Sequence, residues 1–189
     1  MNPRRILVVG GGPAGMVAAI ALARQGMAVD LVEIADTFTT TGIGVNLQNS
    51  PLRALHALGV LDQVAAHGAS TSVINLCNAQ GVAFAPPITP PPMVPGYPAS
   101  IGIDRGVLSG ILARALGAEA VKTTFGTTVA ALQQHDDRVG VTFSDGRSAD
   151  YDLVIGADGI HSRVRKLMLG ATEPPLLYCG QCIWRAGAP

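Results

Sequence analysis

The stretch Ile6-Leu7-Val8-Val9-Gly10-Gly11-Gly12-Pro13-Ala14-Gly15 decides the fold of this chain. Its first four residues form a continuous apolar, largely β-branched run that stops at glycines, the pattern of a strand buried on both faces in a parallel sheet. From Pro13 to Gln25 the sequence is alanine-rich and helical, and Gly26 stops it. Val29 to Glu33 is a second apolar strand. Strand, helix and strand follow each other within about 30 residues, the repeating unit of an open parallel sheet of the α/β class.

The glycines read G-x-G-x-x-G, with a strand before them, a helix opening on them and an acid at the end of the next strand. That context turns a weak pattern into a dinucleotide-binding signal. Gly10 permits the tight turn, Gly12 lets the backbone approach a pyrophosphate, and Gly15 allows the helix to pack closely on the strand. Pro13 and Ala14 open the helix, whose N-terminal N–H groups and partial positive charge suit phosphate. Glu33, 18 residues beyond Gly15, is placed to accept hydrogen bonds from an adenosine ribose. A carboxylate there disfavours a 2′-phosphate, so the site is expected to hold FAD or NAD rather than NADP.

Working outward, Thr37 to Gly44 is a polar loop, and Ser50-Pro51 starts a helix, with Ser50 at the N-cap and Pro51 at the first helical position, that runs to about Leu58. Val73–Cys77 and Val82–Ala85 are expected to pair as strands across a turn at Asn78–Gly81. Pro86 to Pro98 is too rich in proline for a central element and reads as an extended loop. Asp104 caps a helix that reaches Leu116. Val129–Gln134 and Val139–Phe143 form an antiparallel pair before the turn Ser144-Asp145-Gly146. Tyr151–Ile155 is expected to be one buried strand, ending in Gly156-Ala157-Asp158-Gly159, and Ser162 caps a short helix to Met168. Tyr178 to Arg185 reads as a last strand without a partner, the sign of a domain cut short.

Composition narrows the function classes. Charged residues make up 14 % of the chain, against about 25 % in an ordinary soluble domain. Either the domain buries much of its surface or a partner surface is missing. Lys plus Arg equals Asp plus Glu at 13 each, and no basic stripe runs along the chain, which argues against nucleic acid. No apolar stretch is long enough to span a bilayer. The three cysteines Cys77, Cys179 and Cys182 make no disulfide framework and fit a reducing cytoplasm. Cys179 and Cys182 are spaced C-x-x-C but lack a second pair, so they are read as small apolar strand residues and no metal site is expected. His56, His67 and His135 read as structural or exposed, and His161 lies in a cofactor motif rather than a catalytic one.

Tyr151-Asp152-Leu153-Val154-Ile155-Gly156-Ala157-Asp158-Gly159-Ile160-His161-Ser162-Arg163-Val164-Arg165 resembles the Asp-Gly motif of the single-component flavoprotein aromatic-ring hydroxylases. That family also carries the glycine motif at its N-terminus and the acid after the second strand. Asp104-Arg105, followed by Leu108 and Leu112, resembles its arginine-bearing helix. The likeness covers essentially the whole chain. It implies a Rossmann-like FAD-binding domain: a parallel sheet with helices on one face and an antiparallel β-meander on the other. It further implies that Gly10, Gly12, Pro13, Ala14 and Gly15 hold the FAD pyrophosphate and Glu33 the adenosine ribose. Arg105 would reach the ribityl-phosphate region, and Val129 would lend backbone to the adenine. Asp158 and Gly159 would lie near the cofactor chain and the path of the nicotinamide donor. Gly42 and Gly44 would flank the isoalloxazine, where small residues allow backbone approach. Arg165 would buttress the motif.

On that reading residues 1–175 form the FAD-binding domain, with a substrate-side insertion at about 70–100, and residues 176–189 begin a substrate layer. The implied activity is hydroxylation of a small aromatic or heteroaromatic substrate, using FAD, O2 and NADH or NADPH. Another flavoenzyme of the same fold (a reductase, epoxidase or halogenase) and a non-catalytic truncated product are the alternatives. The family's third fingerprint, a Gly-Asp motif in its second half, is absent, and Ile34-Ala35 stands where many members carry a basic residue. Substrate identity, the choice between NADH and NADPH, and oligomeric state are open at this level.

Overall fold

The computed structural model describes residues 4–38 and 43–181. The chain divides into two compact units: the described residues of Met1–Thr40 and Leu112–Arg185 form one, and those of Thr41–Ile111 the other.

The first unit is built on a parallel sheet. Strands β1 (Arg5–Val9) and β2 (Ala28–Val32) flank helix α1 (Pro13–Arg24) in sequence. Strand β6 (Val121–Thr124) and strand β10 (Leu153–Gly156) complete the order β10-β1-β2-β6, with β1 parallel to β10 and β2, and β2 parallel to β6. In the register Ile6 lies beside Val29 and Val8 beside Leu31, so these four share one face, and α1 packs against β1 and β2 with Met16, Ala19 and Ile20 fully buried. Leu7, Val9 and Val32 project from the opposite face. They meet the inner side of an antiparallel meander, β7 (Val129–Gln134), β8 (Val139–Phe143) and β9 (Ser148–Tyr151), through Val129, Val141, Phe143 and Tyr151. Each of these buried aliphatic side chains contributes roughly 1.5–3 kcal/mol by leaving water.

The expected layers are present, with one refinement. Helix α5 (Arg163–Leu169) packs on β7 and β10, and its Val164 joins the meander-side cluster. A second difference concerns Tyr151–Ile155, which is two strands rather than one. The chain leaves the meander after Tyr151 and enters the parallel sheet at Leu153. Asp152 makes the switch: its N–H donates to the Arg5 carbonyl, and its carboxylate accepts the Arg5 N–H at 2.6 Å. Strand β10 therefore starts at the sheet edge, with Leu153 about half exposed. Beneath the switch, the Tyr151 hydroxyl donates to Asp30 at 2.7 Å, and the Arg5 guanidinium pairs with the same carboxylate while stacking 4.4 Å from the Tyr151 ring.

The second unit holds the antiparallel sheet β3 (Gly44–Gln48), β5 (Ser100–Asp104) and β4 (Ala69–Thr71), with β5 central. Helices α2 (Ser50–Ala57) and α3 (Leu61–His67) pack on β3 and β5 respectively. Asn49 stands at the N-cap position of α2 with a positive φ of 53° and no side-chain cap hydrogen bond, so Ser50 is the first helical residue rather than the cap. The expected strand pair at 73–85 is an irregular hairpin held by isolated bridges, Ile74 with Ile88 and Cys77 with Ala83, around the Asn78 turn. Helix α4 (Arg105–Gly117) begins in this unit, and the Asp104 carboxylate accepts the N–H groups of Gly106 and Val107, as a cap should. Of the expected last strand, residues 178–181 are in neither helix nor strand, and residues 182–185 lie outside the described residues.

Candidate functional site

The glycine loop folds tightly because its side chains are missing. Gly10 has a positive φ of 106°, and a β-carbon there would stand 2.5 Å from the Ala157 carbonyl oxygen. A β-carbon on Gly15 would overlap the Gly10 carbonyl oxygen, so α1 can begin this close to β1 only with glycine at that position. Gly12 differs: nothing lies within 4 Å of its would-be β-carbon. No side chain caps α1 at Gly12, and its first turn carries no acid. The helix therefore presents unneutralised N–H groups to an open space, the arrangement that suits a pyrophosphate.

Glu33 closes the loop from the other side. One carboxylate oxygen accepts the Gly11 N–H at 2.5 Å and the other accepts the Ala35 N–H at 2.9 Å. A carboxylate offers about four lone-pair positions, so two remain open. The Glu33 backbone is itself fixed, its N–H donating to Thr124 and its carbonyl accepting from Thr127.

Asp158 sits against this loop, since its α-carbon stands 2.9 Å from where a Gly10 β-carbon would be. Its carboxylate accepts three hydrogen bonds, from the Ser162 hydroxyl and the backbone N–H groups of Arg163 and Val164. The side chain thus fixes the start of α5, while the backbone of Asp158 and Gly159, the latter at φ 80°, borders the cleft. Ser162 caps the helix by accepting the Arg165 N–H. Arg165 pairs with Glu173 and donates to the Ile160 carbonyl, the buttressing geometry.

Together these residues line a cleft of about 220 Å³ bounded by Gly10, Gly12, Glu33, Ile34, Thr128 and Asp158. Four of the lining residues, Val32, Ile34, Thr128 and Ala157, were not among the expected site residues, although Val32 ends β2 beside Glu33 and Ile34 was noted as a departure from the family pattern. Ile34 follows the ribose acid, and Ala157 lies inside the Asp-Gly motif, so proximity could have marked both. Thr128 carries no such signal; it arrives because Thr127 and Thr128 are tied to Ser144 across the meander turn. Val129 is fully buried with its side chain in the core, leaving only its backbone for a ligand. Pro13 and Ala14 lie in the first turn of α1. Gly44 opens β3 and Arg105 opens α4, both in the second unit, and Gly42 lies outside the described residues. Among the described residues no cluster of His, Cys, Asp or Glu could hold a metal, and no helix is long and apolar enough to cross a membrane.

The open space at Gly12, the uncapped first turn of α1 and the unused lone-pair positions of Glu33 are the features that the glycine-loop end of a dinucleotide such as FAD requires. Comparison with known proteins agrees. Residues 4–173 match the family described as "FAD binding domain". The chain is 35 % identical over 191 residues to 3-amino-4-hydroxybenzoate 2-monooxygenase of Streptomyces cremeus, an alignment covering 98 % of this chain and 46 % of that protein. It is 30 % identical to 6-hydroxynicotinate 3-monooxygenase of Bordetella bronchiseptica, covering 98 % of this chain and 48 % of that one. Among solved structures it resembles the tetrameric form of 2-methyl-3-hydroxypyridine-5-carboxylic acid oxygenase, with a TM-score of 0.76 and 29 % identity over 89 % of this chain and 43 % of that one. The chain spans about half the length of the curated relatives it matches. With the glycine loop, its acid and the Asp-Gly loop gathered on one cleft, this chain belongs to the FAD binding domain family.

Proposed function

We propose that this chain is the FAD-binding part of a monooxygenase that hydroxylates a small aromatic or heteroaromatic ring at the expense of NADH or NADPH. The observation that carries the reading is the contact between Gly10 and the Ala157–Asp158 backbone. It sets the Asp-Gly loop beside the glycine loop, so one cleft is lined by both motifs. The similarity to a 3-amino-4-hydroxybenzoate 2-monooxygenase and a 6-hydroxynicotinate 3-monooxygenase supports the substrate class. The overall reaction balances as ring C–H plus O2, NAD(P)H and a proton giving ring C–OH, NAD(P)⁺ and water. FAD, when bound, supplies the two-electron acceptance from the nicotinamide and the activation of dioxygen.

What this chain's own residues contribute is binding and orientation. The first turn of α1, with Gly12 open, would hold the pyrophosphate. Glu33 would hold the adenosine ribose through its two unused lone-pair positions. Asp158 would hold the Asp-Gly backbone in place through its three hydrogen bonds. Arg105, Gly42 and Gly44 are proposed for the flavin side of the cofactor. A cytoplasmic location goes with a reducing environment for the cysteines. The test is NAD(P)H oxidation by the FAD-loaded protein. Oxidation that depends on a hydroxylated aromatic acid and yields a product with one more oxygen supports the proposal. Oxidation that ignores the aromatic compound, with no hydroxylated product, points to a reductase of the same fold.

A further inference from the structure

The pattern G-x-G-x-x-G leaves the second position free, yet this chain carries Gly11 there. The surroundings of Gly11 supply the reason. A β-carbon on it would stand 2.8 Å from Cε1 and 3.0 Å from Cδ1 of Phe38, and 3.1 Å from the Glu33 β-carbon. The Phe38 ring thus fills the space of a Gly11 side chain, beside the 2.5 Å bond from the Gly11 N–H to the Glu33 carboxylate. Phe125 braces that ring in an edge-to-face contact, with centroids 4.8 Å apart and planes at 72°. The backbone around Phe125 is laced to the acid's own segment. The Thr124 carbonyl accepts the Glu33 N–H, the Gly126 N–H donates to the Ala35 carbonyl, and the Thr127 N–H donates to the Glu33 carbonyl. Neither Phe38 nor Phe125 lines the cleft.

A hydrogen bond to a carboxylate competes with water where it is exposed, and is stronger beside an apolar wall. Resting on the FAD reading above, we propose that Phe38, braced by Phe125, is a positioning residue for the cofactor. It touches no ligand. It shields the Gly11–Glu33 bond from water and so holds the Glu33 carboxylate in the orientation that receives the ribose. Gly11 and Phe38 are then a matched pair, since a side chain at position 11 displaces the ring. The effect passes through the Glu33 charge, which separates it from a contribution of Phe38 to folding alone.

The test is a double-mutant cycle on FAD affinity, read by fluorescence quenching, with the Gly11 amide proton shift of the cofactor-free protein measured by NMR. Phe38→Ala weakens FAD by about tenfold, and Phe38→Leu, which keeps an apolar cover, by less than about threefold. In the Glu33→Gln background the Phe38→Ala step shrinks to less than about twofold, because the charge it positions is gone. The Gly11 proton, deshielded by a short bond to a charged acceptor, moves upfield in Phe38→Ala and stays in place in Phe38→Leu. Phe125→Ala, at a ring already 37 % exposed, shows the same pattern at about threefold and carries the test if Phe38→Ala does not fold. Unchanged FAD affinity in the folded alanine variants, or the same loss with and without the Glu33 carboxylate, overturns the positioning role. A folded wild type that binds no FAD removes the FAD reading instead. The Gly11 shift then still decides whether the ring guards the bond, and a proton unmoved in the alanine variants overturns that.

Discussion

Glu33 and Gly11 are joined across the dinucleotide cleft by a 2.5 Å hydrogen bond from the glycine N–H to the carboxylate, 22 residues away in sequence. The acid proposed to hold ribose is therefore also a structural tie of the glycine loop. It is fixed before any cofactor arrives, which lowers the ordering cost of binding. Glu33→Gln keeps the shape but replaces the charged acceptor with a neutral amide. FAD affinity should fall by roughly 10–100-fold, the range expected for charge-assisted bonds of about 1.5–3 kcal/mol. Fluorescence quenching on titration with FAD measures it.

Gly12 and Gly15 separate binding from folding. A methyl group on Gly12 meets nothing within 4 Å and points into the space reserved for the ligand, whereas one on Gly15 overlaps the Gly10 carbonyl. Gly12→Ala should melt like the wild type and lose FAD. Gly15→Ala should lose about 3 kcal/mol or fail to fold, the upper range for overpacking. Denaturant unfolding of both variants without cofactor distinguishes the two effects.

How much of this was legible beforehand follows from where the signals are local. The parallel β1-α1-β2 unit, its glycines and its acid sit within one contiguous run, and the Asp104 and Ser162 caps act on their own helices. Strand β6 has no clear sequence signal, because Val121–Thr124 is short, carries Lys122 and lies at a sheet edge, where charge is protective rather than disruptive. Strand β5 is hidden in the sequence because Gly102 and the proline-rich run before it mask a central strand. The break at Asp152 is not a local signal at all, because it depends on Arg5, 147 residues earlier. Thr128 reaches the cleft through Ser144 for the same kind of reason.

Tyr151 and Asp30 predict a specific alkaline response. Burial first, and then the hydrogen bond to Asp30, push the phenol above its ordinary 10.0. A raised phenol contributes stability that is complete below its ordinary value and is lost as pH rises above it, because the unfolded chain releases the proton first. Urea midpoints taken at about pH 9 and about pH 11 should fall more steeply for the wild type than for Tyr151→Phe. At neutral pH the variant should be less stable by about 1.5 kcal/mol, the low end for a bond to a charged group, since Arg5 still covers Asp30.

Asp145 predicts the acid side. Its hydrogen bonds from the Arg147 side chain, and then from the Arg147 backbone, draw its carboxyl from 3.8 down to about 2. The contribution of this turn is present above 3.8 and is lost as pH falls toward 2. The pair is exposed, so the effect should be small and weakened by salt. Carboxyl NMR titration should show Asp145 protonating below the ordinary carboxylate range, and Arg147→Ala should return it to that range.

The most direct test of the central claim is the visible absorption spectrum of the purified protein, incubated with FAD and then desalted. The cleft described above predicts flavin bands that survive desalting in the wild type and are absent from Gly12→Ala. A wild-type protein that is folded but colourless after desalting, or a Gly12→Ala variant that retains flavin as well as the wild type, would contradict it.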